Sequence, residues 1–180
     1  MADSLQDVLR RFDARRNRIP LEELEAALAS LAIGAEDVRP WIHFGTETYR
    51  RNLVHAGAAY QALVLCWRNG QRSPIHDHAG SSCGVRVLLG EAVETVFERT
   101  RAGMVYAVRS ATHRPGAVCA TQDADIHQVS NLADDGGDLV TLHVYSPPLL
   151  NMGTYSLFDP LVRPFREPIH EEVLVDGGGI

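Results

Sequence analysis

Hydrophobic residues change their spacing once along the chain, at about Tyr49. Before this point they recur every three or four residues, a spacing that is typical of helices with one buried face. After it they form short runs separated by Gly, Pro and Asp, which is typical of the strands of a barrel or sandwich. The pattern therefore predicts two or three helices followed by an all-β body.

Residues that begin or end helices stand at the expected places in the first part of the chain. Ser4, with Asp7 three residues later, matches the start of a helix, and Pro20 stands where the first turn of a second helix would begin. Gly34 ends the second pattern. The predicted helices cover residues 5 to about 16 and 21–34, with a short third turn at 35–38, ahead of Pro40.

The second part of the chain predicts eight strands with turn residues between them. The expected ranges are 53–54, 59–67, 83–89, 92–98, 105–109, 117–121, 125–131 and 139–145. A chain of 180 residues suits one core. We therefore predict a single domain with a helical part at 1–45, a barrel at 46–165 and a tail at 166–180, mobile at its Gly-rich residues 177–179.

Composition and charge exclude several classes of protein. The net charge of -6 argues against a nucleic-acid partner. All 17 basic residues are Arg, which excludes chemistry that needs a lysine amine. No apolar run has the length of a membrane span or a signal peptide. Three cysteines without CxxC spacing argue against a disulfide framework, so we expect a reducing, cytoplasmic location.

The most informative segment contains two histidines, His76 and His78, separated by one residue. In an extended chain, residues two apart point to the same side, so both rings can converge on one metal ion while Asp77 faces away. Imidazole suits iron, zinc, copper and nickel alike. The pair alone does not choose the metal, and such pairs also arise by chance.

A second polar group lies on the last predicted strand. Thr141, His143 and Tyr145 are spaced two apart and so share one face, while residues 140, 142 and 144 are all apolar. Each of these polar residues, taken alone, also fits ordinary core packing. Together they indicate a strand with its polar face turned towards a site.

The surroundings of the histidine pair resemble the two conserved motifs of the cupin superfamily. Gly-x5-His-x-His begins at Gly70, and His-x3-Asn begins at His127. Cys83 departs from the pattern, since most cupins place a metal-binding Glu there. The resemblance implies a mainly β, cupin-type barrel, or jelly roll, with the N-terminal helices packed on it. It also implies three neutral imidazole ligands: His76, His78 and His127.

From residue 49 to about 148 the sequence resembles the thiol dioxygenases, and among them the cysteine dioxygenase family most closely. The segments YRRNLV, LVLCW, SPIHDH, IHQVSN and TLHVYSPP occur in the family's order and approximate spacing. The resemblance implies an Fe(II) enzyme that adds both atoms of O2 to the sulfur of a small carboxylated thiol. The first candidate is L-cysteine, which would become cysteine sulfinic acid in cysteine catabolism.

The same resemblance implies which residues bind the substrate. Arg51 matches the arginine that holds the substrate carboxylate, a group to which a guanidinium offers two parallel donors. Tyr49, on the same strand face, and Leu65 are expected to line the pocket.

The resemblance further implies two devices around the reacting atoms. Thr141 replaces a family Ser in a hydrogen-bonded relay that continues through His143 and presents the Tyr145 hydroxyl to sulfur and oxygen. Cys83 matches the cysteine that forms a thioether bond with the tyrosine at the position of Tyr145. The bond from Ser146 to the following proline is expected to be cis.

Other functions stay open at this stage. The same chemistry on 3-mercaptopropionate or mercaptosuccinate is one alternative, and a metal-binding cupin without turnover is another. A zinc hydrolase fits less well, because Asp77 is the only recognisable carboxylate near the ligands. The expected partners are a small thiol and O2, without nucleic acid or membrane, and the expected assembly is a monomer or small homo-oligomer. His113 is expected at the surface and Cys119 in the core.

Overall fold

The structure is a computed structural model that describes residues 3–122 and 125–171. Its helices are α1 (Leu5–Asp13), α2 (Leu21–Ser30) and a 3-10 helix at Ala35–Trp41. At the start of α1 the Ser4 hydroxyl accepts the Asp7 N–H and the Asp7 carboxylate accepts the Ser4 N–H, as the spacing predicted. The third turn is longer than predicted because it continues through Pro40, whose fixed φ is compatible with a helical turn.

The described residues contain eleven strands. In chain order they are β1 (Arg50–Ala56), β2 (Gln61–Trp67), β3 (Ile75–His76), β4 (Ser82–Leu89), β5 (Ala92–Arg99), β6 (Val105–His113), β7 (Val118–Gln122), β8 (Ile126–Ser130), β9 (Leu139–Ser146), β10 (Met152–Tyr155) and β11 (Arg163–Phe165). All eight predicted strands are present, and β1 and β6 are longer than predicted. The sequence analysis missed β3, β10 and β11, which are too short for an alternating pattern to show.

The strands form two antiparallel sheets. One has the order β1-β2-β9-β4-β7, and the other has the order β11-β10-β3-β8-β5-β6. Side chains of both sheets meet in one buried cluster, to which β2 contributes Leu63, β8 contributes Val129 and β10 contributes Met152. The interior between the sheets is therefore one core.

The helices cover the outer face of the five-stranded sheet. Alternate residues of β2 and β9, such as Val64 and Val144, pack in one buried cluster with Phe12 and Leu28 of the helices. Gly84 in β4 permits the close approach of α2, since a Cβ atom there would lie 2.7 Å from Leu28 Cδ1. The other set of alternate side chains in β2 and β9 points into the barrel.

The segment after β11 lies along the first strand. The His170 N–H donates to the Arg51 carbonyl and the His170 carbonyl accepts the Leu53 N–H, both at 2.8 Å. Residues 172–180 of the predicted tail, including its Gly-rich end, lie outside the described residues. Within the described ranges, no helix is long and apolar enough to cross a membrane.

Candidate active site

Three buried histidines come together inside the barrel. His76 lies in β3 and pairs directly across the sheet with His127 in β8, while His78 follows two residues after His76. Their ring centroids are between 4.7 and 5.4 Å apart. One ligand nitrogen from each ring lies within 4.8 Å of the others. The fold thus gathers three donors from two stretches that are distant in sequence.

The ring nitrogens are arranged to bind a cation. Nδ1 of His76 lies 3.0 Å from the Pro74 carbonyl, and Nδ1 of His127 lies 2.8 Å from Glu94 Oε1. Both contacts place the proton on Nδ1 and leave the lone pair on Nε2. Nδ1 of His78 is buried without a hydrogen-bond partner among the described residues. Such an unpartnered atom costs free energy, which a bound metal ion would offset.

Burial keeps His76 and His78 neutral. It lowers the pKa of His76 to about 3 and the pKa of His78 well below its usual range, and the neighbouring His127 adds to both effects. Neutral imidazole is the form that binds metals. A buried set of three imidazole nitrogen donors fits Fe(II) and Zn²⁺ alike.

Glu94, which the sequence pattern did not single out, extends from β5 to the three histidines. One oxygen accepts the His127 Nδ1 proton, and the other lies 3.2 Å from Nε2 of His113, which is half-buried. The bond to His127 contributes most to lowering the pKa of Glu94 to about 2. The expectation that Asp77 is the only carboxylate near the ligands is therefore wrong. Asp77 itself accepts the Tyr155 hydroxyl at 2.6 Å.

The polar face of β9 forms a hydrogen-bonded chain. Thr141 Oγ1 lies 2.9 Å from His143 Nε2, and His143 Nδ1 lies 2.9 Å from the Tyr145 hydroxyl. The indole N–H of Trp67, which can only donate, reaches Thr141 Oγ1 at 3.1 Å. The indole N–H fills one lone pair of the Thr141 oxygen, which favours donation from Thr141 to Nε2 and from Nδ1 to the Tyr145 oxygen. In that direction the Tyr145 hydroxyl keeps its own proton for a further partner.

Cys83 in β4 lies directly opposite Tyr145 in the strand pairing. Its buried thiol and the Tyr145 hydroxyl are within hydrogen-bonding reach of each other. Burial is the main cause that raises the pKa of both groups above their usual values. The two groups are therefore neutral neighbours near pH 7. The peptide bond between Ser146 and Pro147, at the end of this strand, is cis.

Arg51 lies on the inner side of β1 and is 2% exposed. Its guanidinium carbon is 5.7 Å from the Tyr145 ring centroid. Nη1 donates to the Glu167 carbonyl at 3.4 Å, whereas Nη2 is buried without a hydrogen-bond partner among the described residues. Leu65 pairs directly across from Arg51 and is buried in the same cluster as Tyr145. The free donor of a buried guanidinium suits an anionic group of a ligand.

Tyr49 is held between an aromatic ring and a carboxylate. It stacks on Trp67 with ring centroids 3.9 Å apart, and its hydroxyl donates a short hydrogen bond to Glu167. Burial raises the pKa of Glu167, while the Tyr49 hydroxyl and the Arg51 charge act in the opposite direction. Glu167 was missed by the sequence analysis because it stands 118 residues from Tyr49, in the predicted tail. Glu167 also lines a cavity of about 630 Å³, whose lining includes Leu53 and Gln61 but not Arg51 or the three histidines.

Comparison with known proteins shows what this chain is similar to. The family model described as cysteine dioxygenase type I matches residues 2–157. Cysteine dioxygenase type 1 of Danio rerio is 28% identical over 160 residues, which cover 85% of this chain and 79% of the relative. The protein of the same name from Rattus norvegicus is 29% identical over 136 residues, which cover 73% and 68%.

Solved structures share the fold at lower identity. A protein from Thermus thermophilus matches with a TM-score of 0.52 and 21% identity, covering 62% of this chain and 94% of its own. An uncharacterized conserved protein with a double-stranded β-helix domain, from Klebsiella pneumoniae, matches with a TM-score of 0.52 and 16% identity, covering 66% and 88%. These matches bear on the fold alone, and they confirm the prediction of a mainly β, cupin-type barrel.

Proposed function

Because the chain belongs to the cysteine dioxygenase type I family, we propose that it is an Fe(II)-dependent thiol dioxygenase. The reaction adds both atoms of O2 to the sulfur of a small carboxylated thiol, and the first candidate is L-cysteine, which gives cysteine sulfinic acid. The observation that supports this most is one buried interior that contains three imidazoles able to hold a metal ion, a guanidinium with a free donor and a phenol.

His76, His78 and His127 would hold the metal. Fe(II) in this site would supply a redox-active centre with open positions for the thiol and O2. Two of the rings are fixed by their Nδ1 protons, one on the Pro74 carbonyl and one on Glu94. A zinc hydrolase is supported less well, since Glu94 is engaged with His127 rather than free to act as a base.

Replacing Glu94 by Gln is expected to lower the affinity for Fe(II) by about 10- to 100-fold. Gln keeps the size of the side chain and accepts the same hydrogen bond, but it lacks the charge that strengthens the His127 ring as a ligand. Anaerobic titration of the metal-free protein measures the effect. Glu98→Gln, on the exposed end of the same strand, is the matched control, and equal affinity of the two variants would contradict this role.

Arg51 would bind the substrate carboxylate. Its Nη2 has no partner of its own among the described residues, and Nη1 is oriented by the Glu167 carbonyl. A guanidinium held in this way offers fixed, charge-assisted donors. Leu65 and Tyr49 would fill the sides of the pocket. Fixing the carboxylate fixes the distance from Arg51 to the thiol and so positions the sulfur for reaction.

Tyr145 would orient the sulfur and oxygen atoms. With the chain from Trp67 through Thr141 and His143 running towards Tyr145, the Tyr145 hydroxyl would donate rather than accept on its pocket side. A donor fixed before the reaction stabilises developing negative charge without reorganising. Burial lowers the pKa of His143 well below its usual range, which keeps this ring neutral.

Oxygen-electrode measurements on the iron-loaded protein test the proposed function. We expect the largest kcat/KM with L-cysteine when it is compared with 3-mercaptopropionate and mercaptosuccinate. A strong preference for a thiol without the amine would overturn the assignment to cysteine and leave the dioxygenase chemistry in place. If no thiol stimulates O2 uptake, the protein is a metal-binding cupin without turnover.

A thioether bond between Cys83 Sγ and a ring carbon of Tyr145 is a separate part of the proposal. Its formation removes one hydrogen from the thiol and one from the ring, and O2, the co-substrate, takes up the two electrons. The intact mass should fall by about 2 Da after turnover. Cys83→Ser should abolish this loss, whereas Cys119→Ser should retain it. An unchanged mass after many turnovers would remove the cross-link and leave the dioxygenase proposal unaffected.

A further inference from the structure

Glu167 is a buried carboxylate to which the proposed reaction assigns no role. It is 8% exposed, and its carboxylate accepts the Tyr49 hydroxyl. The guanidinium of Arg51 contacts the Glu167 backbone carbonyl rather than the carboxylate. Burying a carboxylate is costly even with the Tyr49 hydroxyl and the Arg51 charge beside it.

The backbone holds Glu167 in this place independently of its side chain. Three residues further on, the His170 N–H and carbonyl both bond to β1, beside Arg51 and Leu53. Pro168 restricts the chain between them. A change confined to the Glu167 carboxylate should therefore leave the segment and the Arg51 contact in place.

We propose that Glu167 is a specificity-determining residue whose carboxylate excludes thiols with two carboxylates from the pocket. This inference rests on the proposed function, and it narrows the substrate class to monocarboxylated thiols. L-cysteine and 3-mercaptopropionate belong to that class, whereas mercaptosuccinate does not.

The charges of the pocket support this selection. Arg51 is a cation at the pocket and can pair with one substrate carboxylate. The Arg51 guanidinium bonds to the Glu167 backbone carbonyl, and the Glu167 carboxylate lies close enough to Arg51 for the two charges to act on each other. A second substrate carboxylate held near Arg51 would therefore be repelled by Glu167, and the low dielectric of a buried site strengthens that repulsion. A thiol with one carboxylate meets no such repulsion. The carboxylate would thus act mainly by disfavouring the wrong substrate.

Glu167→Gln is the test, because Gln has nearly the same shape and still accepts the Tyr49 hydroxyl. We expect the ratio of kcat/KM for mercaptosuccinate to that for L-cysteine to rise by at least about 10-fold. Calorimetry under anaerobic conditions should show the same shift in the affinities of the iron-loaded protein for the two thiols. Glu171 is an exposed carboxylate in the same segment. Glu171→Gln should therefore change neither the ratio of kcat/KM nor the ratio of the two affinities.

The outcomes separate this inference from the proposed function. An unchanged ratio in a folded Glu167→Gln variant that turns over L-cysteine overturns the inference alone. An equal loss of kcat/KM for both thiols overturns the inference as well, since it shows that Glu167 only supports Tyr49 and Arg51. If the wild-type protein consumes no O2 with any thiol, the proposed function fails. Calorimetry still tests whether Glu167 disfavours binding of mercaptosuccinate relative to L-cysteine. Glu167→Asp, which keeps the charge, should retain the exclusion if the Gln variant does not fold.

Discussion

Stoichiometric iron binding and thiol-dependent O2 uptake should both be lost in His76→Ala. The site has three imidazole donors, and removing one leaves two nitrogen ligands and an empty volume beside His127. Loss of a partner that only orients a ligand costs about 10- to 100-fold in metal affinity, so loss of a ligand should cost more than about 100-fold. Anaerobic Fe(II) titration and the oxygen electrode measure the two effects.

His55→Ala is the matched control for this variant. His55 lies in β1 and contacts Asp13 of α1 at 2.8 Å, outside the barrel interior. The His55→Ala variant should bind iron and turn over L-cysteine like the wild type. Because His76 is buried, its replacement could destabilise the fold. Circular dichroism and the melting temperature therefore check that both variants are folded. Full iron occupancy in a folded His76→Ala variant would contradict the assigned ligands.

Arg51→Gln should raise the KM for L-cysteine by about 100-fold, with a smaller change in kcat. Two charge-assisted hydrogen bonds to a carboxylate contribute about 3 kcal/mol in total, and each 1.4 kcal/mol corresponds to about tenfold in affinity. Cysteamine is the internal control, because it has the thiol and the amine of cysteine but no carboxylate. Steady-state kinetics with both thiols should show that only L-cysteine depends on Arg51.

Arg51→Lys separates charge from geometry. Lys keeps the positive charge but offers a single, flexible donor group, so its KM for L-cysteine should lie between those of the wild type and the Gln variant. If cysteamine turnover falls as much as cysteine turnover in these variants, Arg51 supports the fold of the pocket and does not recognise the carboxylate.

Much of the fold and of the candidate site could be predicted from periodicity. In β9, residues two apart share a face, which places Thr141, His143 and Tyr145 in one chain with their apolar neighbours against the helices. The same rule turns His76 and His78 to one side. That His127 joins them came from the family resemblance, because nothing local to His127 specifies its pairing with His76.

Glu94 and Glu167 could not be predicted in the same way. Each is a single charged residue in a segment with no motif, and such residues are usually at the surface. Their positions depend on contacts between residues that are far apart in sequence. The pairing of β5 with β8 brings Glu94 to His127. The segment that lies beside β1 brings Glu167 to Tyr49. The short strands β3 and β10 escaped prediction for a related reason, since their neighbours in the sheet define them.

The origin of the product oxygens tests the central claim most directly. Iron-loaded protein is incubated with L-cysteine under ¹⁸O2, and the product is analysed by mass spectrometry. The account predicts a sulfinate that is about 4 Da heavier than the one formed under ordinary O2, because both oxygen atoms come from one O2 molecule. A sulfinate with one label or none, or no product that depends on iron, would contradict it.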